Sequence, residues 1–167
     1  PYTRTTLRNY TGLAPIKTGP VRLLMGPWTH GAHDGSYAGH VDFGPEATVQ
    51  GSLAADYDDL RLRWFNRWLK AEEHGTDDEP PVRRFVMGGG DGGKNPEGRL
   101  NHGGRWRGEL EWPLARTRYT AFYLHHDGSL SVEEPASTGS SSGYQFDPRD
   151  PVSTIGGNIS SGADIME

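Results

Sequence analysis

The run Val21-Arg22-Leu23-Leu24-Met25-Gly26-Pro27-Trp28-Thr29-His30-Gly31 constrains this chain more than any other segment. Gly26 and Pro27 stop the apolar stretch Val21–Met25 before it reaches helix length, because proline lacks an amide hydrogen and clashes with the turn before it. A short apolar run bounded by turn residues reads as a buried strand of a parallel sheet. In open α/β sheets, ligands and catalytic groups gather beyond the carboxyl ends of strands, and His30 falls there. The alternative is a structural histidine whose ring nitrogens are satisfied by backbone.

Around this stretch the pattern predicts helices. Thr5-Leu7-Asn9-Tyr10 reads as a short helix or turn. Ser52 to Glu73 reads as one long helix, with Leu53, Tyr57, Leu60, Trp64, Phe65, Trp68 and Leu69 recurring at spacings of three and four on a single core face. Gly51-Ser52 caps its start and Gly75 its end, and Asp56, Asp58 and Asp59 favour its amino-terminal dipole. The loop Ala32–Gly44 is polar and Gly-rich and contains His33, Asp34 and His40. With His30 these invite a metal reading, since imidazole and carboxylate are good zinc ligands. Gly31, Gly35 and Gly39 disfavour the helical turn that would put His30 and His33 on one face, and no His-Glu-x-x-His pattern exists. No metal and no cofactor is expected, and the loop reads as the solvated rim of a site.

Beyond Thr76–Pro81, acidic and ending in Pro-Pro, the periodicity changes, which marks a domain boundary. Val82–Met87, Thr120–Leu124 and Leu130–Val132 read as strands, the last two joined by a hairpin turn at Asp127-Gly128. Trp106 and Trp112-Pro113 read as core or edge residues of the same sheet. Short strands separated by turn clusters indicate a β-sandwich. Ser137–Gly143 is low-complexity and reads as a loop, and Tyr144–Glu167 has little regular pattern. Two motifs are set aside. Gly139-Ser140-Ser141-Ser142-Gly143 spells a nucleophile elbow but lacks the strand before it and the helix after it. Gly88, Gly90 and Gly93 spell a dinucleotide fingerprint, but Lys94-Asn95-Pro96 does not open the helix whose amino end would face a pyrophosphate.

A length of 167 residues allows one domain or parts of two. A net charge of −5 with both signs interspersed provides no basic face for nucleic acid. No apolar run has the length of a membrane span, and the chain begins with Pro and shows no signal-peptide pattern, so its start is expected to be truncated. The compartment is left undetermined by the residues, with a cytoplasmic setting the favoured expectation. The absence of cysteine excludes disulfides and thiolate-bound metals. Gly and Pro, 24 and 12 residues, concentrate in turns and fit a loop-rich β region. The modest content of large apolar residues is expected to need further chain to complete a core.

Gly26-Pro27-Trp28-Thr29-His30-Gly31 resembles the segment bearing the catalytic His in the CocE/NonD family of serine hydrolases, the cocaine-esterase and X-Pro dipeptidyl-peptidase type. Further matching segments follow in order: Phe43-Gly44, Arg63–Lys70, Val82–Gly88, Gly104-Arg105-Trp106 with Trp112-Pro113, then Tyr144–Val152 and Gly156-Gly157. The resemblance covers almost the whole chain. It implies α/β plus all-β architecture: residues 1–79 the C-terminal part of an α/β-hydrolase catalytic domain, and residues 80–167 the start of a β-sandwich, or jelly-roll, domain. It further implies hydrolysis of ester or amide bonds, acyl or X-Pro peptidyl, by a Ser-His-Asp triad. His30 is then the general base and acid, and Trp28 with the loop after His30 is placed to line the acyl pocket, with packing the simpler role for Trp28.

The nucleophilic Ser, the triad Asp and the oxyanion hole would precede Pro1, so the isolated fragment is expected to be inactive. The α-amino-ester hydrolases carry carboxylates just after the triad Asp, and Pro1-Tyr2-Thr3 contains none, which disfavours that subgroup. The expected partner is a small-molecule ester, amide or peptide substrate, with no nucleic acid and no membrane, and a homo-oligomer of the longer protein is compatible. The competing reading is a non-catalytic accessory module with His30 structural and Trp106, Trp112, Tyr119 and Tyr123 forming a carbohydrate platform.

Overall fold

A computed structural model describes residues 2–73, 75–136, 141 and 143–151. Its elements in chain order are α1 (Thr3–Leu13), β1 (Leu23–Met25), β2 (Tyr37–Ala38), β3 (Val41–Asp42), a 3-10 turn (Pro45–Ala47), α2 (Val49–Ser52), α3 (Tyr57–Lys70), a second 3-10 turn (Thr76–Asp78), β4 (Val82–Met87), β5 (Leu100–Asn101), β6 (Gly104–Glu109), β7 (Tyr123–Leu124) and β8 (Leu130–Ser131). The described residues form two compact units, one up to Leu114 and one from Ala115. Among them, no helix is long and apolar enough to cross a membrane.

β4 organises the first unit. Val82, Phe85 and Val86 are residue types that suit a pleated, covered surface. Side chains alternate along a strand, so Val82 and Phe85 point to opposite faces. Each is buried, and each anchors a different apolar cluster. Val82 packs with Tyr10 of α1 and Leu23 of β1, against Val21, Met25 and Trp112. Phe85 packs with Phe43 and Ala47, against Val41 and Trp106.

β1 runs parallel to β4, with Leu23 opposite Val82, and β6 runs antiparallel along its other side, with Val82 opposite Glu109. The parallel strand expected at 21–25 is therefore present, shortened to three residues. β1 and β4 lie on either side of the 79/80 boundary read from the sequence, yet they pair in one sheet. Buried Glu109 is held by the Arg84 guanidinium, Nη2 to Oε1 at 2.9 Å. A second sheet has β3 at its centre, with β2 antiparallel and β5 parallel to it.

The long helix expected over 52–73 is divided. α2 ends at Ser52, and α3 restarts at Tyr57 because Asp56 is extended and its side chain accepts the Asp59 amide at 2.7 Å. That geometry is an N-cap, which cannot lie inside a continuing helix. The carboxyl end closes at Ala71 in the left-handed region (φ 58°), ahead of the Gly75 proposed from sequence. Trp64 and Trp68 pack against one another at 5.7 Å between ring centroids. No α3 residue is fully buried, and Phe65 and Trp68 remain 48% and 42% exposed. The face predicted to enter a core is thus only partly covered among the described residues.

The second unit, taken by itself, is an antiparallel hairpin of β7 and β8. The turn falls at Asp127-Gly128 as expected, with the Asp127 carboxylate accepting the Ser129 amide at 3.0 Å and hydroxyl at 2.7 Å. The strand expected over 120–124 contracts to Tyr123–Leu124. The architecture is therefore β-rich, with mixed sheets and few helices.

Candidate functional site

β1 ends at Met25, and Gly26-Pro27 carry the chain out of the sheet. The Trp28 ring then folds back across Gly26, where a Cβ would lie 2.4 Å from ring carbons. Only glycine tolerates that approach. Trp28 Nε1 donates to the Ala47 carbonyl at 2.8 Å. With Trp28 turned in, His30 emerges exposed, and the Tyr2 ring meets its imidazole edge-on at 5.0 Å. Among the described residues no side chain hydrogen-bonds the His30 ring.

His33 has a different environment. Its ring stacks on Tyr57 with centroids 3.8 Å apart, and Trp28 meets it edge-on at 6.2 Å. Its Nδ1 is buried without a partner among the described residues, and its carbonyl accepts the Val49 amide at 3.0 Å. His30 and His33 thus turn to different neighbours, and among the described residues no three His, Asp or Glu side chains converge.

The end of the His30 loop is built around Asp42, a residue the sequence reading did not single out. Its Oδ1 accepts the Gly44 amide at 2.8 Å and its Oδ2 the Asn95 side chain at 2.9 Å. Burial pushes the Asp42 carboxyl up. Hydrogen bonds from Gly44, Ser36 and Asn95, with the Arg99 charge, outweigh it and hold the group below the ordinary carboxylate range. Arg99 also lies 3.8 Å over the Tyr37 ring and donates to the Gly39 carbonyl at 3.2 Å. The available signal was the spacing Asp42-Phe43-Gly44, in which an aspartate bonds the amide two residues on.

Gly88, Gly90 and Gly93 lead into a bridge between Lys94 and Leu100. A Cβ on Gly90 would meet the Asn101 carbonyl at 2.1 Å, and one on Gly88 the His102 carbonyl at 2.5 Å. Those glycines admit a close backbone approach beside β5. Residues 137–140 and 142 lie outside the described residues, and with them most of the Gly139–Gly143 motif.

Trp106 on β6 donates Nε1 to the Glu46 carbonyl at 2.7 Å and packs against Trp28 and Phe85 at 5.6 and 5.5 Å. Trp112 packs on the Tyr10–Leu23–Val82 cluster. Both are engaged in packing the first unit. In the second unit Tyr119 is exposed, and the Tyr123 hydroxyl donates to Glu134 at 3.1 Å. A groove of about 330 Å³ runs between α3 and the sheet, lined by Leu23, Leu24, Tyr57, Leu60, Trp64 and Arg63 among others.

Residues 74–158 match the family model described as the X-Pro dipeptidyl-peptidase C-terminal non-catalytic domain. Cocaine esterase from Rhodococcus sp. (strain MB1 Bresler) is 33% identical over 157 residues, covering 89% of this chain. The chain spans 24% of that relative's length. No solved structure matches the chain. The family model covers half of the sequence, and the curated relative aligns across the His30 loop and β1 as well. The chain therefore belongs to the hydrolase-related CocE/NonD and X-Pro dipeptidyl-peptidase-like family.

Proposed function

We propose that this chain is part of a longer serine hydrolase of ester or amide bonds, in which His30 is the histidine of a Ser-His-Asp triad. The observation that carries the reading is the exposed His30 imidazole beyond the carboxyl end of β1, with no described side chain bonded to its nitrogens. One nitrogen is then open to a serine hydroxyl and the other to an orienting carboxylate. In this reading His30 takes the serine proton during attack on the acyl carbonyl and returns it to the leaving group. The serine, the carboxylate and the oxyanion hole come from residues outside this sequence.

Residues 1–79 then belong to an α/β-hydrolase domain and residues 80–167 open a jelly roll, with β4 completing a sheet shared with β1. Trp28, the candidate pocket residue, has its indole turned inward to the Ala47 carbonyl, which favours a packing role for it over contact with substrate. The 33% identity to an enzyme named for cocaine ester hydrolysis favours an esterase or acylase of small substrates, with X-Pro peptidase activity as the related alternative.

Ester hydrolysis by the longer protein tests the reading. His30→Ala is expected to lower kcat by several orders of magnitude with the circular dichroism spectrum unchanged. Wild-type turnover by His30→Ala sinks it. Turnover of p-nitrophenyl esters by the 167-residue chain alone does the same, because it locates a complete active site here.

A further inference from the structure

Two indoles reach one turn from distant parts of the chain. Trp28, two residues before His30, donates to the Ala47 carbonyl at 2.8 Å. Trp106 on β6 donates to the preceding carbonyl, that of Glu46, at 2.7 Å, and the Ser52 hydroxyl donates to the same oxygen at 2.7 Å. The two rings lie 5.6 Å apart, and Phe85 backs Trp106 at 5.5 Å. The segment from β1 to the turn Pro45–Ala47, which carries His30, is therefore braced at both ends by this pair. Packing alone asks only for a large ring at 106, whereas the bond to Glu46 requires the indole N–H.

We propose that Trp106 is a positioning residue for His30. It lies within residues 74–158, which match a domain described as non-catalytic, so that domain would act on the chemistry through the loop it braces. The inference rests on the reading of His30 as the triad histidine. Without the indole donor the turn loses a tether from β6, and Trp28 and His30 shift with it. Proton transfer is sensitive to displacements of an ångström or less, while substrate contacts made elsewhere are not altered. The loss therefore appears in kcat and leaves KM unchanged.

The test is ester hydrolysis by the longer protein carrying Trp106→Phe, His30→Ala, or both. Trp106→Phe is expected to lose about tenfold in kcat, with KM and melting temperature close to wild type. The double variant is expected to be no slower than His30→Ala, because without the imidazole nothing is left to position. Wild-type kcat in Trp106→Phe overturns the inference, and so does a double variant slower than His30→Ala by the full factor. If Trp106→Phe does not fold, Trp106→Tyr keeps a large ring at 106 without the indole N–H to Glu46 and carries the same expectations. A large loss in His30→Ala with no loss in Trp106→Phe overturns only this inference, whereas wild-type activity in His30→Ala overturns the triad reading as well.

Discussion

Asp42 illustrates how one side chain can order two loops that are far apart in sequence. Its carboxylate bonds Gly44 in the His30 loop and Asn95 beyond the Gly-rich segment, and Asn95 in turn accepts the Arg99 amide at 2.8 Å. These donors stabilise the ionised form more than burial disfavours it, so the folded group titrates below its ordinary value. A carboxyl lowered in this way contributes stability that is complete above its unfolded pKa, about 3.9, and is lost as pH falls through the folded value. Asp42→Asn should therefore be less stable than wild type in urea at about pH 6, and the gap should close below about pH 4. A gap independent of pH would mean that the carboxylate's charge is not what holds the two loops.

At the level of elements, α3 depends on its ends more than on its face. Asp56 caps the start, and Arg67 Nε and Nη2 clamp Asp77 at distances down to 2.6 Å, tying the last turn to the 3-10 turn that follows. Ala71 holds the left-handed position that glycine occupies without strain. Ala71→Gly is expected to stabilise the protein by about 0.5–1 kcal/mol, read from the urea midpoint, as strain relief exceeds the extra flexibility of the unfolded chain. Asp56→Ala should cost about 1 kcal/mol by removing the N-cap bond to Asp59. If neither change moves the midpoint, α3 is held by its partly covered aromatic face and not by its termini.

For the molecule as a whole, the decisive contact is the parallel pairing of β1 with β4. Leu23 and Val82 sit in register, both buried in the cluster with Tyr10. Val82→Ala should cost about 2 kcal/mol through lost burial and the cavity left behind. Hydrogen exchange should then speed up at β1 and β4 amides together, because the strands share one sheet. Unchanged protection of β1 would mean that the chain divides near residue 79 into units that unfold separately.

Much of this was legible in the sequence because the signals were local. The strand before Gly26-Pro27, the strand from Val82, the hairpin at Asp127-Gly128 and the lack of a helix after Gly93 each follow from a few adjacent residues. His30 was legible as a candidate for the same reason, since a strand end is a local event. The split of the expected helix was less so, because the period of Leu53–Leu69 runs straight through the cap at Asp56. The contacts that define the site's surroundings were not legible. No pattern joins Trp106 to Glu46 or Asp42 to Asn95, which are 60 and 53 residues apart. Backbone preference and hydrophobic period act over a few residues, so the sequence by itself determined β1, β4, the hairpin of β7 and β8 and the place of His30 just beyond β1, but not β2, β3, β5 or β6. Which carbonyl an indole reaches, and which strand lies beside β1, depends on how distant segments pack, and only the tertiary structure decided that.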